Sequence, residues 1–309
     1  SRRQEGSVQI SQQFTKATNG LFRLTYRRVA VSDVVIPTLL VPALLQPVRL
    51  GLVSANFIQD RRNNPTDPRR GIYNTVDIGL ATKILGSQRS FLRGLARNAT
   101  YHRINRDWTF ARQTTFGIIF PYSVPAGLDR NDSVPLPERF FGGGGQSHRG
   151  FPENQAGPRD IGTPAGPGAP ATQPTGFPLG GNAVLFNTLE LRFPLLGENI
   201  GGVLFHDAGN VYRSVGDISF RASQRNLQDF NYMVHAVGFG VRYKTPVGPV
   251  RVDLSYSVNP PSFLGFTGSL QDLLQCNPSL PQDQLPAQCR GTQQSPGHIQ
   301  FFFSIGQTF

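Results

Sequence analysis

The chain has 309 residues, of which 34 are Gly and 25 are Pro, and so many turn-forming and helix-breaking residues exclude a mostly helical protein. The formal net charge is +11, and Lys16, Lys83 and Lys244 are the only lysines, so Arg carries most of the positive charge. No apolar stretch reaches the roughly 18 residues that a membrane-spanning helix needs, which excludes a helical membrane protein.

Alternation of apolar and polar residues predicts eleven strands, and the alternation is clearest toward the C-terminus. In residues 250–258, for example, Val252 and Leu254 alternate with Arg251 and Asp253. We expect the apolar residues to face lipid and the polar residues to face the interior of a barrel. The strand at 90–104 departs from this alternation, because Arg93 and Arg97 share one face with apolar residues. The eleven strands are predicted at 7–16, 20–33, 47–60, 71–84, 90–104, 108–120, 183–195, 200–212, 231–245, 248–259 and 298–309.

The connections between these strands alternate in length. Most of those on one side are short, as at 17–19, 105–107 and 196–199, whereas 121–182 and 260–297 on the other side are long. Short periplasmic turns and long extracellular loops are typical of a transmembrane β-barrel. We therefore predict an all-β, antiparallel transmembrane β-barrel with extracellular loops at 121–182 and 260–297. The connections at 61–70 and 85–89 fit this pattern less well.

An odd number of strands has a consequence for closure. The first and the last of eleven antiparallel strands run in the same direction, so they cannot close a barrel with antiparallel pairing throughout. Bacterial outer-membrane barrels have even strand numbers. We therefore expect residues 1–309 to be the C-terminal portion of one barrel domain, with an odd number of strands, such as five, ahead of Ser1.

The net positive charge first suggests nucleic-acid binding. Because Arg is spread along the chain and is not clustered, we favour a polar inner surface and charged loops, with no nucleic-acid partner. A soluble, basic β-sandwich that binds a polyanion remains an alternative, since alternation alone does not distinguish a sandwich from a barrel.

The two cysteines, Cys276 and Cys289, lie in one Pro- and Gln-rich loop without CxxC spacing or a neighbouring His pair. This arrangement argues against zinc and favours a disulfide in an oxidising compartment. The five histidines are scattered and match no catalytic or metal-ligand spacing. The sequence therefore predicts no catalytic residue, no metal site, no cofactor and no enzymatic activity.

Several motifs occur in a characteristic order along the chain. They are DRRNNPTDPRRG at 60–71, FGGGGQSHRGF at 141–151, ELRFP at 190–194, FHDAGNV at 205–211, GVRYKTPVGP at 240–249 and FSIGQTF at 303–309. In this order they resemble the outer-membrane β-barrel assembly family, the BamA/TamA type, and the related two-partner secretion transporters. His148 departs from the family pattern, which has Val or Ile before the RGF residues.

The resemblance implies a sixteen-strand barrel in the bacterial outer membrane, preceded by periplasmic POTRA domains. It implies a protein that folds and inserts other β-barrels without a cofactor. Its partners would be unfolded outer-membrane β-barrel clients, outer-membrane lipid and lipopolysaccharide, and accessory lipoproteins. A polypeptide-transporting pore, as in two-partner secretion, is the alternative within the same superfamily.

The resemblance also implies a latch inside the barrel. In the family the loop Arg folds into the lumen and pairs with acids on the wall; the matching residues here are Arg149, followed by Gly150 and Phe151, and the acids Glu190 and Asp207. Glu190 lies on the polar face of its predicted strand, whereas the strand of Asp207 does not alternate cleanly. Arg suits this role because a guanidinium binds a carboxylate through two parallel hydrogen bonds.

The last predicted strand contains Gly306 and ends at Phe309. An aromatic residue at this place would lie at the interface between water and lipid. By resemblance, Gly306 and Phe309 are expected to form the C-terminal signal that the barrel assembly machinery recognises.

Overall fold

The computed structural model describes residues 2–30, 48–162, 174–197, 199–245, 249–268 and 291–306. Eleven strands form one antiparallel sheet in the order β1 to β10 followed by β13, and β11 pairs with β12 in a separate small sheet. The strands are β1 Arg2–Thr15, β2 Thr18–Ala30, β3 Val48–Asp60, β4 Gly71–Ala81, β5 Phe91–Arg103, β6 Thr109–Pro121, β7 Ala183–Leu196, β8 Ile200–Tyr212, β9 Val234–Tyr243, β10 Val250–Ser257, β11 Phe263–Gly265, β12 Thr292–Gln294 and β13 Ile299–Ile305.

Helical structure in this part of the chain consists of short 3-10 turns. They are Lys83–Leu85, Asn131–Ser133, Leu136–Glu138 and Val215–Asp217. Across the described residues, no helix has the length and apolar character that crossing a membrane requires.

The eleven predicted strands are confirmed, but several of their ends were predicted wrongly. The strand predicted at 71–84 ends at Ala81, because the Thr82 hydroxyl accepts a hydrogen bond from the N–H of Ile84 and starts a 3-10 turn. The strand predicted at 231–245 begins at Val234, because the N–H of Met233 donates to the Arg221 carbonyl within the preceding loop at 2.7 Å. At the other end of the chain, β1 begins five residues earlier than its predicted start at 7.

The connection predicted as an unbroken loop at 260–297 contains two strands, β11 and β12. Each has only three residues, too few for an alternating pattern to be recognised. Cys276, Cys289 and Phe309 lie outside the described residues, so the disulfide and the terminal aromatic stay predictions. Gly306 is described; its N–H donates to the Pro249 carbonyl at 2.8 Å.

The two faces of the sheet differ as the alternation predicted. In β10, Arg251 and Asp253 are fully buried on the inner face, whereas Leu254 is 55% exposed on the outer face. The outer face continues onto β13, where Phe301 and Phe303 are also exposed. An apolar outer face and a polar inner face are the arrangement that a barrel in lipid requires.

The strands are joined by short turns at one end of the sheet and by longer connections at the other, here called the short-turn end and the long-loop end. The longest short-turn connection, 61–70, is held by its own hydrogen bonds. The Asn63 side-chain oxygen accepts from the N–H groups of Arg69 and Arg70, and the Asn64 side-chain oxygen accepts from the N–H of Thr66. Its length is therefore compatible with a compact turn.

The connection between β6 and β7 folds back against the inner face of the sheet. We call its described residues, 122–162 and 174–182, the plug. Val134, Phe140 and Phe151 of the plug are buried in one apolar cluster with side chains from the strands, among them Phe91 and Phe186. Burial of each such side chain contributes about 1.5–3 kcal/mol. The plug also explains why apolar residues share the inner face of β5 with Arg: they pack against it.

Candidate functional site

Arg149 lies at the centre of an ion-pair network between the plug and the strands. Its side chain is 1% exposed. Nε and Nη2 donate to the two oxygens of Asp207 at 2.8 and 2.9 Å, and Nη1 donates to Glu190 Oε1 at 2.9 Å. The backbone N–H of Arg149 also donates to Asp207 Oδ2 at 2.8 Å. The structure thus brings together the three charged residues that the resemblance indicated.

The two acids come from neighbouring strands. Glu190 lies on β7 and Asp207 on β8, and both are 1% exposed. Inward placement of Glu190 follows the alternation of its strand. Asp207 also points inward, although most residues around it are buried and give no clear alternation.

Three further charged residues extend the network, and the sequence had not singled them out as site residues. Arg192 donates to Glu190 Oε2 through Nε at 3.0 Å and Nη2 at 2.8 Å. Asp253 Oδ1 lies 3.8 Å from Arg149 Nη1 and 2.7 Å from Arg242 Nη1. Arg192, Arg242 and Asp253 lie on the polar faces of their strands. Alternation could therefore have shown that they point inward, but not which residues they contact. With Arg149, Glu190 and Asp207 they form the latch network, in which three guanidinium groups lie against three carboxylates.

An aromatic ring supports the guanidinium from one side. Arg149 Cζ lies 3.4 Å from the centre of the Phe205 ring on β8. A planar cation over a ring face is attracted by the ring's electrons, and burial strengthens that attraction. A Lys side chain could not keep this stacking and the two-pronged contact with Asp207 together.

His148 is fully buried beside the latch and has a partner for each ring nitrogen. Nε2 lies 3.0 Å from the Val234 carbonyl on β9, and Nδ1 accepts from the N–H of Gly150 at 3.1 Å. These partners require a neutral ring with its proton on Nε2. Burial lowers the pKa of His148 below its ordinary value, although Asp207 opposes this shift. Where the family pattern has Val or Ile, this chain therefore has a neutral, hydrogen-bonded His.

Gly150 and Phe151 fit the plug closely to the sheet. A Cβ on Gly150 would lie 2.9 Å from Ala236 Cβ on β9 and 2.9 Å from His148 Cε1, closer than such atoms normally approach. Phe151 is completely buried in the apolar cluster. The RGF residues therefore combine a charge, a close backbone approach and an apolar anchor within three positions.

A second ion pair fixes the plug to another part of the wall. Arg27 on β2 donates a hydrogen bond to Glu138, which lies in the 3-10 turn Leu136–Glu138 of the plug. Both residues are buried. The pair links positions that are 111 residues apart, a distance over which sequence patterns give no signal. The plug is thus attached to β2 as well as to β7, β8 and β10.

The latch network is suited to holding the plug against the inner face of the sheet. Removal of one member of a buried ion pair leaves an uncompensated charge and costs about 3–5 kcal/mol. In the described part of the chain no cluster of three or more His, Cys, Asp or Glu could hold a metal ion. The contacts within the network are hydrogen bonds and ion pairs between guanidinium groups and carboxylates.

Comparison with known proteins identifies the family. The model of the Omp85 superfamily domain matches residues 2–309. The chain belongs to the Omp85 superfamily. This confirms the resemblance seen in the motifs, and it makes the chain an integral β-barrel protein of the bacterial outer membrane, as predicted.

Individual relatives agree with this assignment. The chain is 26% identical over 175 residues to the outer membrane protein assembly factor BamA of Neisseria meningitidis serogroup B, a match that covers 49% of this chain and 20% of the relative. It superimposes on the crystal structure of BamA from Haemophilus ducreyi lacking POTRA domains 1–3 with a TM-score of 0.63 and 17% identity, over 83% of this chain and 51% of that one. This structural likeness confirms the predicted all-β barrel fold.

CdiB from Acinetobacter baumannii is also similar, with 12% identity and a TM-score of 0.45, over 84% of this chain and 39% of that one. That score is too low to support an argument. The chain spans about half the length of the solved BamA and a fifth of the length of the curated relative.

Proposed function

We propose that the protein containing this chain folds other β-barrel proteins and inserts them into the bacterial outer membrane. The observation that carries the proposal is the latch network within an Omp85 barrel fold, where Arg149 fixes the plug to three strands. Sequence similarity to an assembly factor supports the same role.

The plug gives this role a physical basis. An insertase has to disturb the bilayer for its client without leaving an open pore, and a plug attached on two sides of the wall blocks the interior. An incoming client strand satisfies its backbone by pairing with a strand edge, because lipid offers no hydrogen bonds. Burial of the client's apolar face in the bilayer supplies the driving force, so we propose that no nucleotide, cofactor or catalytic residue is needed.

The proposal also covers orientation and partners. The long-loop end would face the cell exterior and the short-turn end the periplasm, with the exposed apolar residues of β10 and β13 in contact with outer-membrane lipid and lipopolysaccharide. The clients would be unfolded outer-membrane β-barrel proteins. Accessory lipoproteins would act through parts of the protein outside this chain.

Reconstitution tests the proposed activity directly. The full-length protein in liposomes should accelerate the folding of a urea-unfolded β-barrel client, measured by the client's resistance to protease and to unfolding by detergent. Arg149→Ala should reduce the rate, whereas Arg225→Ala, at an exposed loop position at the same end, should not. A rate equal to that in empty liposomes would contradict the proposal. Passage of the client into the vesicle lumen without insertion would instead identify a polypeptide-transporting pore.

A further inference from the structure

A row of polar side chains crosses the outer, lipid-facing side of the sheet. Exposed apolar residues border it, such as Ile72 and Val76 on β4 and Phe116 on β6. We call this row, together with Arg112 and His206 on the same face, the polar stripe. The row consists of direct partners on successive strands from β2 to β9: Thr18, Gln59, Asn74, Asn98, Thr114, Asn187, Ala208 and His235.

The polar stripe runs from one end of the sheet to the other. Thr18 begins β2 at the short-turn end, whereas His235 is the second residue of β9 at the long-loop end. Neighbouring strands lie about 4.8 Å apart and tilt by about 35–45° in outer-membrane barrels. From β2 to β9 the row therefore rises by roughly 19–24 Å, close to the height of about 25 Å of the apolar band of such barrels. The polar stripe thus connects the two sides of the bilayer.

Hydrogen bonds between its members make the polar stripe tolerable in lipid. Asn74 Nδ2 donates to Gln59 Oε1 at 3.0 Å, and Asn98 Nδ2 donates to Asn74 Oδ1 at 2.6 Å. A polar group in hydrocarbon is costly unless it is hydrogen-bonded, so this ladder lowers the cost. Each amide nitrogen carries two hydrogens, and the ladder uses one of them. The other hydrogen can bind a polar group that lies beside the barrel.

Arg112 places a positive charge on the polar stripe. Its Nη2 donates to Thr114 Oγ1 at 2.6 Å, and its Nε donates to Asn187 Oδ1 on β7 at 3.4 Å. Both partners are uncharged oxygens, so they do not balance the charge of the guanidinium group. Charged residues on the membrane-embedded surface are rare and typically mark a path for polar or charged groups. The anion that a bilayer offers is the headgroup phosphate, which a guanidinium binds through charge-assisted hydrogen bonds.

His206 continues the polar stripe where Ala208 interrupts the row. It lies two residues before Ala208 on the same face of β8, and its Nε2 is 3.2 Å from His235 Nδ1 on β9. A diagonal neighbour at this spacing is within reach of long side chains on the adjacent strand. Polar groups therefore follow one another from the short-turn end to the long-loop end.

We propose that the polar stripe lets phospholipid headgroups pass between the two leaflets of the membrane. The headgroup moves along the stripe by exchanging hydrogen bonds, Arg112 binds its phosphate, and the acyl chains stay in the hydrocarbon beside the bordering apolar residues. A second barrel would touch this one along a line parallel to the barrel axis and would cover only part of an oblique stripe. Lipid can follow the whole stripe. This activity goes beyond the proposed function, which concerns proteins.

Lipid transfer in vesicles tests the proposal. The full-length protein is reconstituted into phosphatidylcholine vesicles with a trace of short-chain fluorescent phosphatidylcholine in both leaflets. Serum albumin extracts this label from the outer leaflet and is too large to enter the barrel, so loss of the inner-leaflet label measures transfer. We expect transfer to be faster than in protein-free vesicles. Arg112→Leu should slow it about tenfold, as the loss of one charge-assisted hydrogen bond implies.

Further variants separate the polar stripe from the rest of the outer face. Asn98→Leu should also slow transfer, and Arg112→Lys should restore part of the rate because the positive charge remains. Leu suits a lipid-facing position, so both Leu variants should fold. The matched control is Val76→Leu, which changes an apolar residue beside Asn74 on the same face of β4 and should leave the rate unchanged.

Transfer no faster than in protein-free vesicles overturns the proposal, and cross-links that require Asn98→Cys would then assign the polar stripe to contact between protein molecules. Equal rates for the unaltered protein, Arg112→Leu and Asn98→Leu also overturn it and assign lipid movement to another part of the barrel. The assembly assay is separate. A protein that inserts clients but does not transfer lipid refutes this inference alone, and one that transfers lipid but inserts no client refutes the proposed function alone.

Discussion

The two ends of the barrel interior are built from the same strands, yet they are filled in opposite ways. At the long-loop end the plug covers the inner face with apolar side chains and with Arg149, which pairs with acids on the wall. At the short-turn end the inner face borders an open cavity of about 510 Å³, which is lined by charged residues of both signs and by apolar residues. The plug belongs to the connection between β6 and β7, the longest connection between neighbouring strands of the sheet. A long connection can return into the interior with its own apolar residues and counter-charge, whereas a short turn cannot.

The energetics of the two ends should differ for the same reason. Charges at the plugged end are buried and therefore little screened, so each partner matters. Charges at the rim of the short-turn cavity are partly hydrated, and ion pairs there contribute little. Substitutions at the plugged end should therefore change stability strongly, and those at the cavity rim should change it little.

The largest effect is expected from Arg149→Ala. It leaves Glu190 and Asp207 buried without their central partner, which should reduce the free energy of unfolding by about 3–5 kcal/mol. Urea unfolding of the full-length protein, followed by protease resistance of the plug, measures it. Arg149→Lys should restore only part of the loss, because an ammonium group lacks the planar fork. If Arg149→Ala is no more harmful than Arg225→Ala, the latch does not stabilise the plug.

A smaller loss is expected from Gly150→Ala. The added Cβ would lie 2.9 Å from Ala236 Cβ, so the plug has to move away from β9. Overpacking of this kind costs about 1–3 kcal/mol. The matched control is Gly216→Ala in the loop between β8 and β9, where a Cβ has its nearest neighbour at 3.8 Å. Equal unfolding curves for both variants would show that the plug has room to adjust at this point.

Acid should also loosen the plugged end through His148. Because burial lowers the pKa of His148, the folded state keeps the ring neutral while the unfolded chain takes up a proton below about pH 6.5. Above that pH, His148 should not change the free energy of unfolding. As the pH falls below it, the free energy of unfolding should decrease by at most about 1.4 kcal/mol per pH unit. Unfolding at about pH 7.5 and about pH 5 measures the loss. His148→Val, the residue type that the family pattern suggests, should make it smaller.

The sequence predicts some features of the site better than others. The directions of Glu190 and Asp253 follow from alternation, since a residue's parity in a strand determines its face. Alternation did not show which face of β5 points inward. Phe91 packs against the plug, and the position of the plug depends on contacts between residues distant in sequence. The same limit applies to Arg27 and Glu138, which no local pattern connects. Arg149 was identifiable only because its motif resembles a known family.

The smallest effect on stability is expected from Lys244→Ala, at the rim of the short-turn cavity. Its side chain is 48% exposed, and its Nζ lies 3.9 Å from Asp67 Oδ2. Exposed pairs of this kind contribute about 0–1 kcal/mol, so the unfolding curve should barely move. A large loss of stability would show that the cavity rim, like the plugged end, supports the fold, and the contrast between the two ends would then fail.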